Sequence, residues 1–224
     1  MIQFFTPYQE YPIASLSELI TLLPILIGLY YFRSTKIEIK LLVILFICFF
    51  IRDIYSNNLA YLKVDNIFIY NIFSFLELFF LALIFYSNSK IRSVKYKQII
   101  VWGAATSLLI DVFFYSKNDF SVENFTIVRL YGILIIMAFY ERVLSELNIK
   151  NILAYSMFWI SSGLLLYYSG TFFIFLLGDI VLSTKSKPEV FHHYWDMNLL
   201  FYMFFCLLAS IGIWFSKYDQ ENVI

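Results

Sequence analysis

Long apolar runs, each on the scale of a bilayer, alternate with short polar links along the whole chain. They fall at about residues 13–32, 39–57, 67–86, 99–115, 125–140, 152–182 and 193–216. A helical crossing needs about 20 mostly apolar residues. Hydrocarbon offers the backbone no hydrogen bonds, and a helix satisfies them within one segment. Barrel strands would instead alternate apolar and polar positions over about ten residues, which these runs do not. The pattern predicts an all-α fold, a polytopic transmembrane bundle of about seven helices forming a single domain over residues 1–224.

The sixth run is too long for a simple crossing. Its 31 residues would make a helix of about 46 Å at ~1.5 Å per residue, against a core of ~30 Å. One long helix, tilted or protruding, with a kink available at Ser169-Gly170, is the expectation. Eight crossings, with this run split in two, are the alternative.

Composition supports the membrane assignment. Apolar residues make up 61%, aromatics 21% and charged residues 14% of the chain, whereas a soluble domain carries roughly a quarter charged residues. The zero net charge argues against nucleic acid, which needs a basic face. Cys48 and Cys206 lie inside apolar runs and read as filler, too few for a disulfide framework or zinc site. Residues 1–12 hold Glu10 but no Lys or Arg. They lack the basic region of a cleaved signal peptide, so the first run is expected to be a retained helix.

Counting Lys and Arg between runs sets the orientation. One side collects ten, from Arg33, Lys36 and Lys40 through Lys90–Lys97 to Arg142, Lys150 and Lys217. The other collects Lys63, Lys117, Lys185 and Lys187. The amino terminus is therefore expected outside and the carboxyl terminus in the cytoplasm, with a bacterial inner membrane as the setting. Tyr30, Tyr31, Tyr86, Trp102, Tyr140 and Trp214 fit an inner aromatic belt. Tyr55, Tyr61, Tyr115 and Trp195 fit an outer one.

Ionisable groups inside a span are costly and ask for a reason. On this topology Glu18, Arg52, Asp53, Asp111, Arg129, Asp179 and Asp196 all fall toward the outer ends of their helices. Glu77 lies near mid-membrane with Asn71 above it. The inner halves look almost free of charge. These nine residues suggest an outer pocket, acidic on balance, with Glu77 as its floor, suited to a small cationic or polar ligand. Arg52 and Arg129 could equally pair with two of the acids and simply hold helices together.

Other chemistry is weaker. His193 and Asp196 could face one metal, but adjacent His192 and His193 cannot readily share it, and the reading without metal or any other cofactor is preferred. Asp111 and Asp179 sit in similar Leu-rich text, each six residues before a Lys, and paired acids can activate water. Asn124-Phe125-Thr126 matches a glycosylation acceptor, relevant only in a secretory pathway. No phosphate-binding glycine loop or serine nucleophile elbow is present, and the last run offers no Lys before Lys217 for a retinal Schiff base. Gly103 and Ser107 permit close helix approach.

The stretch Met157-Phe158-Trp159-Ile160-Ser161-Ser162-Gly163, continuing through Tyr167-Tyr168-Ser169-Gly170 to Phe172-Phe173, carries a resemblance. With Glu77, Arg129 and Ala209-Ser210-Ile211-Gly212, it resembles an uncharacterised family of bacterial seven-helix membrane proteins over nearly the whole chain. That resemblance implies a fold and no mechanism. Asp111 and Asp179 are also similar to the central acids of lysoplasmalogenase-like membrane hydrolases. The Lys-Pro pattern expected before the first is absent, and the usual helix count there is eight.

The favoured expectation is a sensor-like or receptor-like binding module, in contact with the bilayer and signalling through a cytoplasmic or membrane partner protein. An intramembrane lipid hydrolase using Asp111 and Asp179 is the alternative. A small transporter ranks third, because the inner half reads as dry.

Overall fold

The computed structural model describes residues 12–62, 64–88, 94–115, 121–146, 151–181 and 188–219. Among them are seven long helices: α1 (Pro12–Tyr31), α2 (Ile37–Tyr61), α3 (Ile67–Ser87), α4 (Val94–Phe113), α5 (Val122–Glu146), α6 (Ser156–Leu176) and α7 (Pro188–Phe215). The described residues contain no strand.

The sixth run differs from expectation. It is neither one helix of 31 residues nor two spans. Asn151 caps a 3₁₀ turn at Ile152–Ala154 by accepting from the Leu153 N–H at 3.0 Å, and Tyr155 is extended. α6 begins at Ser156 and runs unbroken through Ser169 and Gly170. A single further helical turn, Gly178–Val181, follows it. Its 21 residues span about 32 Å at ~1.5 Å per residue, close to one bilayer core.

The helices form a ring in sequence order, closed where α7 packs on α1. α3 also touches α5, so α4 sits outside that pair. The α6–α7 seam depends on glycine. A Cβ at Gly212 would lie 2.7 Å from the Ser156 carbonyl oxygen, and one at Gly163 would lie 3.0 Å from the Leu208 side chain. Backbones can come that close only where no side chain intervenes.

Polarity is turned outside in. Arg129 is 1% exposed and Asp111 0%, while Leu109 is 73% and Phe113 82% exposed. In water, apolar surface on this scale would be a severe liability; in lipid it is solvated. Five helices, α1, α3, α5, α6 and α7, are long and apolar enough to cross a membrane. α2 and α4 fall short of that standard, since α2 carries Glu38, Lys40, Arg52 and Asp53, and α4 carries Lys95, Lys97 and Asp111.

Candidate functional site

One end of the bundle, where α1, α3, α5 and α7 begin and α2 and α6 finish, encloses a cavity of about 40 Å³. Six helices line it. α1 gives Ser17 and Glu18, α2 gives Arg52, Asp53 and Asn57, and α3 gives Tyr70. α5 adds Phe125 and Arg129, α6 adds Tyr167 and Phe175, and α7 adds Trp195, Asn198 and Tyr202. Only α4 contributes nothing. The arrangement follows from helix period: Ala14, Ser17 and Glu18 on α1, and Trp195, Asn198, Leu199 and Tyr202 on α7, recur at spacings of three and four, which is one helix face.

Two ion pairs border the cavity. Arg52 Nε donates to Asp53 Oδ1 at 2.8 Å, and its guanidinium lies over the rings of Phe49 and Tyr70, at 4.6 and 5.2 Å from their centroids. Deeper, Arg129 Nη1 donates to Glu77 Oε1 at 2.9 Å, with both side chains almost wholly buried. All three nitrogens of this second guanidinium donate. Nη2 donates to the Tyr167 hydroxyl at 2.8 Å and Nε to Thr171 Oγ1 at 3.2 Å. Its face meets Tyr167 at 4.7 Å and Phe175 at 4.8 Å. A charge so deep is tolerable because pairing, hydrogen bonds and aromatic faces replace its water.

Glu18 has a neutral partner. Asn57 Nδ2 donates to its Oε1. Asn198 is buried, and its Oδ1 has no hydrogen-bond partner among the described residues. Beneath these, Thr21 Oγ1 donates to the Tyr202 hydroxyl at 3.2 Å.

Of the nine residues expected in one pocket, the structure brings four, Glu18, Arg52, Asp53 and Arg129, to the cavity wall. Glu77 is not its floor but stands behind Arg129, locked in the ion pair. Asn71 accepts from the Ser121 N–H at 3.1 Å and serves the α3–α5 junction. Asp111 faces the Ser74 and Glu77 side of α3, off the cavity; neither carboxylate oxygen has a geometric hydrogen-bond partner among the described residues. Asp196 is half-buried on α7 and does not line the cavity. The Asp179 side chain lies outside the described residues, and so does any pairing with Asp111. The wall is correspondingly less acidic than expected: two acids and two arginines, not six acids.

His192 and His193 are exposed, and no group of three or more His, Cys, Asp or Glu side chains converges among the described residues. Trp195 packs edge-on against Tyr70, with ring centroids 5.2 Å apart, and lines the cavity. Sequence reasoning passed over Asn57, Tyr70, Asn198 and Tyr202, because uncharged polar residues and tyrosines are too common in such runs to stand out.

The opposite end is not as dry as its sequence looked. Glu38 and Asp219 are buried there. Asp219 Oδ1 accepts from the Ser156 N–H at 3.0 Å and Oδ2 from the Ser156 hydroxyl at 2.5 Å. An acid from beyond α7 thus caps the start of α6 across the bundle. Asn88 and Tyr155 exchange hydrogen bonds of 3.0 and 3.2 Å. The chain matches no protein-family model, no curated protein and no solved structure.

Proposed function

We propose that this chain is a multi-pass membrane protein with seven crossings, amino terminus outside and carboxyl terminus in the cytoplasm, and that it works as a sensor-like binding module. The observation that carries the binding role is the cavity itself, lined from six helices at one end of the bundle by the Arg52–Asp53 pair, Glu18, Arg129 and aromatic rings. A buried polar group is expensive unless hydrogen-bonded, and Asn198 Oδ1 on this wall has no partner among the described residues. A cavity at the junction of several helices is where bundles place ligands. Any shift in one wall helix is felt by its neighbours, and output passes to a partner protein at the other end.

Basic residues seated on aromatic rings support the orientation. Lys40 lies over Phe32 at 5.6 Å, Lys97 over Tyr86 at 4.9 Å and Lys217 over Trp214 at 4.0 Å. All three are at the end opposite the cavity, where a cytoplasmic interface would put them.

The binding role is tested by thermal unfolding of detergent-purified protein, followed by tryptophan fluorescence. A panel of amino acids, carboxylates, amines and sugars is screened in N-methylglucamine chloride. Wild type is compared with Ala14→Trp, in which the cavity wall is filled. Compounds that raise the wild-type midpoint and leave the filled variant unmoved are expected. If the two proteins respond alike to every compound, the cavity is not a binding site.

A further inference from the structure

We infer that the cavity holds one small monovalent cation, of the size of sodium or ammonium, on the oxygens of Glu18, Asp53 and Asn198. This rests on the cavity being a ligand site and names the class of ligand.

Charge arithmetic comes first. Arg52 is matched by Asp53 and Arg129 by Glu77, while Glu18 is met only by the neutral Asn57. Among the described residues the wall has no other basic side chain. Among the described residues, Glu18 is thus the one acid of the wall that no arginine meets, in a site flanked by aromatic rings. Isolated charge in such surroundings is strongly disfavoured, and a guest of charge +1 cancels it. One unmatched carboxylate on the wall calls for one positive charge.

The donor atoms agree. Asp53 commits Oδ1 to Arg52 and Glu18 commits Oε1 to Asn57, which leaves each carboxylate its second oxygen. Asn198, 7% exposed and on the cavity wall, has its Oδ1 without a hydrogen-bond partner among the described residues. An acceptor stranded in this way asks for a cation or a donor. Every one of these atoms is a hard oxygen, and no sulfur or imidazole nitrogen lines the wall, which disfavours the softer transition metals.

Size narrows the class further. A cavity of about 40 Å³ exceeds the ~10–15 Å³ that one water centre requires. It has room for a bare ion with a water or two, or for ammonium.

The experiment is thermal unfolding of the full chain in detergent, with N-methylglucamine chloride replaced by sodium, potassium, ammonium or methylammonium chloride at constant ionic strength. A saturable rise in midpoint of several degrees is expected in at least one of these salts. It is absent in Glu18→Gln and in Asn198→Ala. Glu18→Gln unfolds no earlier than wild type in N-methylglucamine, since it removes the unmatched charge; a purely structural Glu18 would instead give an early midpoint in every salt. Should Glu18→Gln not assemble, Asn198→Ala decides. No rise in any of the small cations, a rise that survives in the variants, or a larger response to calcium than to any monovalent ion overturns the assignment. If the cations fail while the organic panel separates wild type from Ala14→Trp, only the cation is wrong. If both fail, the cavity is no ligand site at all.

Discussion

Neutralising one member of the buried Glu77–Arg129 pair should cost more than removing both. In Arg129→Met the Glu77 carboxylate loses its cation while staying inside the bundle, and in Glu77→Leu the guanidinium loses its only acid. Breaking a buried pair from one side costs about 3–5 kcal/mol, so two independent losses would total about 6–10. The double variant removes both charges together. Thr171 then still donates to the Tyr167 carbonyl at 2.7 Å, and the chief casualty is the Tyr167 hydroxyl that accepts from Arg129. An orphaned polar group costs about 1–3 kcal/mol, which sets the expected loss for the double variant. A coupling of at least about 3 kcal/mol follows. It can be read from equilibrium unfolding by sodium dodecyl sulfate in mixed micelles, followed by far-ultraviolet circular dichroism. Additive losses, or a single variant that loses under about 1 kcal/mol, would refute the reasoning.

Other perturbations follow from the same geometry. Gly212→Ala should destabilise by about 1–3 kcal/mol in the same assay, because the new Cβ meets the Ser156 carbonyl oxygen, which is backbone. Gly103→Ala should cost less, since its nearest obstacle is the Tyr131 ring at 2.8 Å, a side chain that can give way. Asp219→Ala removes both acceptors at the start of α6 and should cost about 1–2 kcal/mol in the same unfolding assay; unchanged stability would show the cap to be idle. Cysteines placed one at a time at exposed Ser34 and Asp65 should react oppositely with a membrane-impermeant maleimide. Position 65 labels in intact cells and position 34 only after permeabilisation, and the reverse result inverts the topology.

How much was legible beforehand depended on the kind of signal. Bilayer-length runs announce helices because lipid leaves the backbone no alternative, so the seven long helices stand out in the chain. Their ends did not, because capping is local chemistry: Asn151, Tyr155 and Asp219 set the start of α6, and apolar periodicity is blind to all three. Charged residues at similar depth could be seen to gather near one end. Which of them share a wall could not, since that depends on helix rotation and on neighbour order around the ring. Glu77 is the clear case, as depth alone suggested a free acid whereas the facing turn of α5 supplies Arg129. Asp111 faces α3 for the same reason. Asn198 carried no sequence signal, and its interest arises only from a stranded oxygen in an enclosed space.

The closing contact of the ring joins residues far apart in the chain: Thr21 meets Tyr202 across 181 positions. During synthesis the first six helices would stand as an open crescent, with Glu18, Arg52 and Arg129 along an unsealed cleft. Arrival of α7 then supplies Trp195, Asn198 and Tyr202 and turns the cleft into a chamber. Ribosomes that stall before residue 188 would therefore release a product with most of its helices but an unshielded charged flank, which gives quality-control proteases a direct mark of unfinished assembly.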